Sequence, residues 1–301
     1  MPNSKQEAGP VHTPVLLNEI LEFFEPQEGK RFIDATLNGG GHTRALAERG
    51  ASVLGIEWDP ELANKTAQEI ENSEFSDRVT VINDSYVNLA TVARERQFIP
   101  DGILFDLGLS SWHYEHSGRG FSFKRDEPLD MRFDPGHGTP VSDIVNTYEV
   151  AELEQIIRDY GEEQFSRQIA QAIGQARKEK PILTAGELAA VIESAVPGWY
   201  RHRKIHPATK TFQALRVVAN DELTNVQQGI EAAIEILPAG GKVAVISFQG
   251  HEDKIVREFF KEQVRAGVIS QPTRRTTRPS WSEQQANPRS RSAKLKIAIK
   301  N

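Results

Sequence analysis

Two carboxylates and three adjacent glycines mark where this chain could do chemistry. Asp34 closes an apolar run, and Gly39, Gly40 and Gly41 follow it within a few residues, leading through His42 into a helical pattern. A strand, a glycine turn and a helix N-terminus together form a cradle for a nucleotide-like cofactor. The glycines permit positive φ and let the backbone approach a ligand closely. They do not spell a dinucleotide fingerprint, because Arg44 stands where G-x-G-x-x-G begun at Gly39 needs its third glycine. Glu57 ends the next apolar run. A strand-end carboxylate can accept hydrogen bonds from both ribose hydroxyls, and no pyrophosphate needs cradling. The pattern therefore suits S-adenosylmethionine better than NAD, although the same glycines would also serve a bare tight connection.

A second group follows the fourth apolar run, in Asp106-Leu107-Gly108-Leu109-Ser110-Ser111. In an open α/β sheet, ligands sit beyond the carboxyl ends of the strands at the switch point. Asp106 can there bond an adenine edge or orient a target base; it can equally be a turn-forming aspartate. Ser110 and Ser111 are ordinary loop serines when viewed singly. Tyr86 could stack on adenine or pack into the core, and His42 could touch a ligand or simply cap its helix.

The elements that must position these groups alternate. Apolar strand-like runs occupy 31–36, 52–57, 78–82 and 102–107, separated by helical segments at about 42–49, 60–72 and 86–96. Such alternation calls for parallel strands covered by helices on both faces. Thr13-Pro14 reads as an N-cap and first helical proline. After 107 the alternation stops, and 111–140 shows no clear period. Helical segments are then expected at 147–160, closed by Gly161, at about 162–180, and from a capping box at Thr184-Ala185-Gly186-Glu187 to Pro197. The α/β pattern resumes with one long amphipathic segment over 208–237, a strand at 242–248, a helix at 253–263 and two strand-like tails, 267–273 and 293–300. Those tails permit a hairpin with a long basic loop. The expected fold class is α/β, a doubly wound, mostly parallel sheet interrupted by a helical insertion. Residues 1–112 and 215–301 form the sheet domain, and 113–214 the insertion.

Composition narrows the chemistry. The chain has 301 residues, no cysteine and a formal net charge of −6. Without cysteine there is no disulfide, thiolate metal site or iron–sulfur cluster, and no thiolate nucleophile of the kind that C5 methylation of cytosine uses. No metal site is expected. No stretch approaches 18 apolar residues and 1–14 lacks a signal-like run, so a cytoplasmic protein without a membrane segment is expected. Charge is uneven: from Gln271 to Asn301 there are eight Lys or Arg against Glu283 alone, and between Gly198 and Arg216 five with no acid. Basic patches on an acidic protein suit a polyanion bound at one face, or are solvated surface.

Four stretches carry a family resemblance. They are Arg119-Gly120-Phe121-Ser122-Phe123, Pro128-Leu129-Asp130-Met131-Arg132, the run from His206 to Arg216, and Asn287-Pro288-Arg289-Ser290-Arg291-Ser292-Ala293-Lys294. In this order they resemble the bacterial small-subunit ribosomal RNA cytosine-N4 methyltransferases, the MraW/RsmH family, from His12 nearly to the C-terminus. The resemblance implies a doubly wound methyltransferase sheet, an inserted helical domain that recognises RNA, and S-adenosylmethionine as cofactor. It implies cofactor contacts at Gly40, Gly41, His42, Glu57, Tyr86, Asp106 and His113, and 16S ribosomal RNA or the small subunit as partner. Three departures stand out. Glu57 replaces the family's usual Asp, Trp112-His113 its frequent Pro-Gln, and Gln249 its histidine.

Asp106, Ser110 and Ser111 are the expected catalytic group. Arg203, Lys204, His206, Lys210, Arg289 and Arg291 are the expected RNA contacts, within basic segments at 201–210 and 274–291. Direct methyl transfer to a cytidine N4 amine is the expected reaction. A nicotinamide oxidoreductase would share the sheet but lacks its third glycine here. A DNA amino-methyltransferase would carry D/N/S-P-P-Y/F where this chain has Asp106-Leu107-Gly108-Leu109. A non-catalytic RNA-binding or ribosome-assembly protein retaining the cofactor pocket is the remaining alternative.

Overall fold

A computed structural model of the chain describes residues 14–273 and 276–301. Seven strands form one sheet: β1 (Arg31–Asp34), β2 (Ser52–Glu57), β3 (Val79–Asn83), β4 (Gly102–Asp106), β5 (Lys242–Ser247), β6 (Ile269–Ser270) and β7 (Lys294–Lys300). Their order is β3-β2-β1-β4-β5-β7-β6. The first five are parallel, and β7 runs antiparallel to both β5 and β6. The parallel strands are apolar on both faces because helices cover both: Ile33, Leu54, Ile56, Ile103, Leu104, Phe105 and Val243 to Ile246 are all essentially buried. From β1 the chain winds outward through β2 and β3, then returns to β4 on the other side of β1. The switch point thus lies between β1 and β4, which bear Asp34 and Asp106 at their carboxyl ends.

Two compact units emerge. One takes in the described residues up to Glu57, Glu61–Gly108 and Gly229–Asn301; the other comprises Trp58–Pro60 and Leu109–Gln228. The second is helical and buries its own core, with Leu129, Met131, Ile144, Leu153, Ile157, Ile173, Leu188 and Leu215 among its members. Among the described residues no helix is long and apolar enough to cross a membrane.

Several expected elements differ. The long amphipathic segment is two helices, Ala208–Ala219 and Glu222–Ile236. The break falls at Asn220 and at Asp221, whose φ is 47°. Asn220 leaves the helical path to satisfy other backbone: its amide donates to the Met131 carbonyl at 2.8 Å, and its oxygen accepts from the Phe133 N–H at 2.7 Å. The expected helix at 147–160 starts at Val150, as Val150–Gly161, and a separate, unexpected helix, Val141–Thr147, precedes it across the extended residues Tyr148 and Glu149. Gly161 does not close the expected helix; Glu162 does, at φ 50°. The helix that follows therefore starts late, as Ser166–Glu179. Residues 86–96 are a 3₁₀ turn, Tyr86–Asn88, and then Leu89–Glu95. The first helix begins at Leu17 after a left-handed Leu16, so Pro14 is not its first residue, and Thr13 lies outside the described residues. The capping box stands as read: Thr184 accepts from the Glu187 N–H, and Glu187 answers to the Thr184 N–H.

Candidate cofactor site and basic surface

Within the sheet unit, the turn after β1 is knitted to the ends of β2 and β4. Thr36 Oγ1 accepts the Asp106 N–H at 2.6 Å, and Glu57 Oε2 accepts the Asn38 N–H at 2.8 Å. The Asn38 side chain donates to the Thr36 carbonyl at 3.0 Å and reaches the Asp106 carbonyl at 3.5 Å. Gly40 takes φ 72°, a value that favours glycine. A Cβ on Gly41 would lie 2.6 Å from Pro14 Cγ, so this glycine serves close packing as well. Gly39 has open space where a Cβ would stand. The structure thus brings Gly40, Gly41, His42, Glu57 and Asp106 into one neighbourhood, through Thr36 and Asn38, which the sequence reading did not single out.

His42 is 5% exposed. Its Nε2 lies 3.0 Å from the Val15 carbonyl oxygen, which can only accept, so Nε2 carries the proton. Nδ1 faces Asp106 Oδ2 at 3.6 Å. Burial, with Asp34 and Glu252 adding like charge, pushes the Asp106 carboxyl up to about 8. Burial likewise pushes Asp34 up to about 6, against the hydrogen bond it accepts from Thr43 at 2.7 Å. Glu252, another residue the sequence reading passed over, accepts the Phe248 and Gln249 N–H groups at 2.9 and 3.1 Å. Gln249 itself caps the helix Gly250–Arg265.

The large majority of buried polar atoms are paired in folded proteins. Asp106 Oδ1 and Asp34 Oδ1 are buried with no hydrogen-bond partner. An acceptor left without a donor at a switch point, beside an open glycine turn, fits a ligand that brings N–H or O–H groups. S-adenosylmethionine brings an ammonium, an exocyclic amine and two ribose hydroxyls. Tyr86 sits near the end of β3 with its ring edge-on to Phe105 at 5.7 Å.

In the helical unit, Ser110 caps the short helix Ser111–Glu115 by accepting the Trp112 N–H. His113, which that helix carries, is 2% exposed and packs edge-on against Phe121 and Phe133. Its Nε2 stands 3.2 Å from Asp59 Oδ2, and Asp59 is also bonded to Arg119. Burial pushes the His113 imidazole down, keeping it neutral. Burial alone would raise Asp59, but hydrogen bonds and charge from His113 and Arg119 outweigh it and hold the carboxyl low. Arg119 ties this centre to the loop by donating to the Arg132 and Phe133 carbonyls at 2.9 and 2.6 Å. His113 is therefore a packed member of this unit's interior, which its spacing in the sequence did not reveal.

Of the expected RNA contacts in this unit, Arg203 and Lys204 are exposed. His206 is engaged with Glu193 at 2.7 Å and stacked on Phe123 at 4.3 Å, and Lys210 donates to the Glu162 carbonyl that ends the helix Val150–Gly161. Arg289 and Arg291 are exposed on the 3₁₀ segment Pro288–Ser292 of the sheet unit. Arg274 and Arg275 lie outside the described residues. Among the described residues no cluster of histidine and carboxylates is arranged to hold a metal.

Comparison with known proteins gives one family. Residues 10–301 match the MraW methylase family. A "Ribosomal RNA small subunit methyltransferase H" from Deinococcus deserti is 44% identical, covering 96% of this chain and 93% of its own length. One from Persephonella marina is 42% identical, covering 95% and 98%. A third, from Dehalococcoides mccartyi, is 40% identical, covering 95% and 86%.

Proposed function

Since the chain belongs to the MraW methylase family, we propose that it methylates the N4 amine of a cytidine in 16S ribosomal RNA, by direct transfer from S-adenosylmethionine. The observation that carries the site assignment is the buried, partnerless Asp106 Oδ1 at the switch point. When bound, the cofactor supplies an electrophilic methyl group on a sulfonium. Glu57 and the turn Gly39–His42 would hold it, Glu57 sharing its carboxylate between the ligand and the Asn38 N–H. Tyr86 is assigned a further cofactor contact.

The N4 lone pair is delocalised into the cytosine ring, so the amine is a poor nucleophile until it is held and its hydrogens are bonded. Asp106 is suited to accept such a hydrogen bond, and so are carbonyls of the turn through Ser110 and Ser111. Positioning of this kind supplies on the order of 7–11 kcal/mol in well-oriented systems. The target base must first leave its stack, as in a single-stranded loop. With no cysteine in the chain, a covalent thiolate adduct has no place in the reaction. RNA contacts are assigned to the exposed Arg203, Lys204, Arg289 and Arg291, while His206 and Lys210 are held within the helical unit by Glu193 and the Glu162 carbonyl; the protein is assigned to the cytoplasm.

Incubating the protein with ribosomal RNA or small subunits and methyl-labelled cofactor, then digesting to nucleosides, tests the reading. Label on cytosine N4 is the expected result. Label on cytosine C5, on adenine or on a ribose hydroxyl, with none on N4, would overturn it.

A further inference from the structure

A single exposed apolar side chain is ordinary, but an exposed aromatic set among cations has a recognisable use. In the helical unit, Trp199 is 63% exposed and Ile205 65% exposed. Between and beside them stand Arg201, His202, Arg203 and Lys204, all exposed. No acid occurs from Gly198 to Arg216. The nearby carboxylates are occupied: Glu163 accepts the Tyr200 hydroxyl at 2.6 Å, and Glu193 faces His206 at 2.7 Å.

Trp199 is held rather than loose. Its helix, Gly198–Arg201, is anchored by Tyr200, which is buried and bonded to Glu163. Burial and then the hydrogen bond to Glu163 push the Tyr200 phenol up to about 12, so it stays a donor at any physiological pH. Phe165 and Tyr200 meet the indole at 5.9 and 5.6 Å, both in T-shaped geometry, so neither ring lies flat upon it. The Arg203 guanidinium stands 5.2 Å over the Tyr200 ring. A braced indole with cations beside it meets the requirements for stacking a base while neighbouring phosphates are neutralised.

We propose that Trp199 is a stacking platform for an unpaired base of the RNA substrate, with Arg203 and Lys204 contacting the flanking phosphates. This rests on the RNA-methyltransferase reading above and names how part of the substrate is gripped. Stacking is worth about 1–3 kcal/mol per base by alanine substitution, which corresponds to roughly 5- to 150-fold in affinity.

The test uses the full chain and a fluorescently labelled, unstructured cytosine-containing oligoribonucleotide. Trp199→Ala should weaken binding by roughly 5- to 150-fold without changing the salt slope, while Trp199→Phe should recover most of the loss. Inorganic polyphosphate, which has charge but no bases, should bind wild type and Trp199→Ala equally. Equal RNA affinity in Trp199→Ala overturns the platform and leaves the RNA reading standing. Loss of polyphosphate binding in Trp199→Ala also overturns it, because the indole would then only support the local fold. A wild-type protein that binds S-adenosylmethionine but no RNA removes the platform together with the substrate reading. A wild-type self-association abolished by Trp199→Ala, with RNA affinity unchanged, reassigns the patch to contact between copies.

Discussion

Asp106 shows how burial decides what a carboxyl can do. Its value of about 8 and that of Asp34, about 6, both lie above the ordinary carboxylate range. The folded protein therefore holds protons that the unfolded chain releases. Their stabilising contribution is complete below about pH 4 and is lost as pH rises through 6 and then 8. Asp106→Asn removes the Asp106 part of this dependence. Its unfolding free energy relative to wild type should rise between pH 5 and 8 by up to about 1.4 kcal/mol per pH unit. Urea unfolding at a series of pH values reads this directly, and a difference independent of pH would remove the proton from Asp106. Methyl transfer should fall strongly in the same variant, with RNA affinity much less affected. At Glu57, removal of the carboxylate takes away the Asn38 bond and the proposed ribose contact together. Glu57→Ala should weaken S-adenosylmethionine binding by roughly tenfold to over a hundredfold in calorimetry, since charged hydrogen bonds are worth about 1.5–3 kcal/mol. An unchanged affinity in the folded variant would exclude Glu57 from the site. The glycines, Glu57 and Asp106 stand out in the sequence because they occupy the turn and strand ends beyond which an open α/β sheet holds its ligands. Thr36, Asn38 and Glu252 do not, since each is an ordinary loop or cap residue until three strand ends converge on it.

At the scale of elements, the strands were the easiest to read, because parallel strands buried on both faces are continuous apolar runs. Helix ends were read well only where a local signal sets them, as in the Thr184–Glu187 box. Gly161 misled for an instructive reason. It lies in the last turn of Val150–Gly161, and a Cβ there would come within 2.7 Å of the Lys210 carbonyl oxygen. The glycine lets two helices approach, a tertiary demand that mimics a stop signal. Gly161→Ala should therefore destabilise the helical unit by about 1–3 kcal/mol, the usual cost of overpacking, despite alanine's better helix propensity. A thermal melt that rises instead would mean the helices are free to separate. The break at Asn220 was invisible for a related reason: the apolar spacing continues across it, and only the partners that Asn220 finds at Met131 and Phe133 make leaving the helix favourable.

At the scale of the whole molecule, a net charge of −6 coexists with basic segments, and polyanion binding should follow the segments. Arg203→Gln with Lys204→Gln should weaken RNA binding across sequences and make the salt slope shallower by roughly 1–1.5, as expected for two lost contacts to a single strand. Cofactor affinity should be unchanged. An identical slope would place the RNA on another surface. What the sequence by itself determined is the class and its chemistry. Alternation of buried strands and amphipathic helices dictates a doubly wound sheet, the four motif stretches place the chain in its family, and the absence of cysteine removes a covalent route. These follow from composition and short spacings, which act along the chain. Only the tertiary structure decided which carboxyls are protonated, which cations are spent and which are exposed, and which aromatics face water. Asp106 owes its raised value first to burial and then to the like charge of Asp34 and Glu252, 72 and 146 positions away. His113 is an interior group because Asp59, Phe121 and Phe133 close around it, and Lys210 is committed to a helix end 48 residues earlier. Desolvation and pairing depend on neighbours in space, and sequence distance carries no record of them.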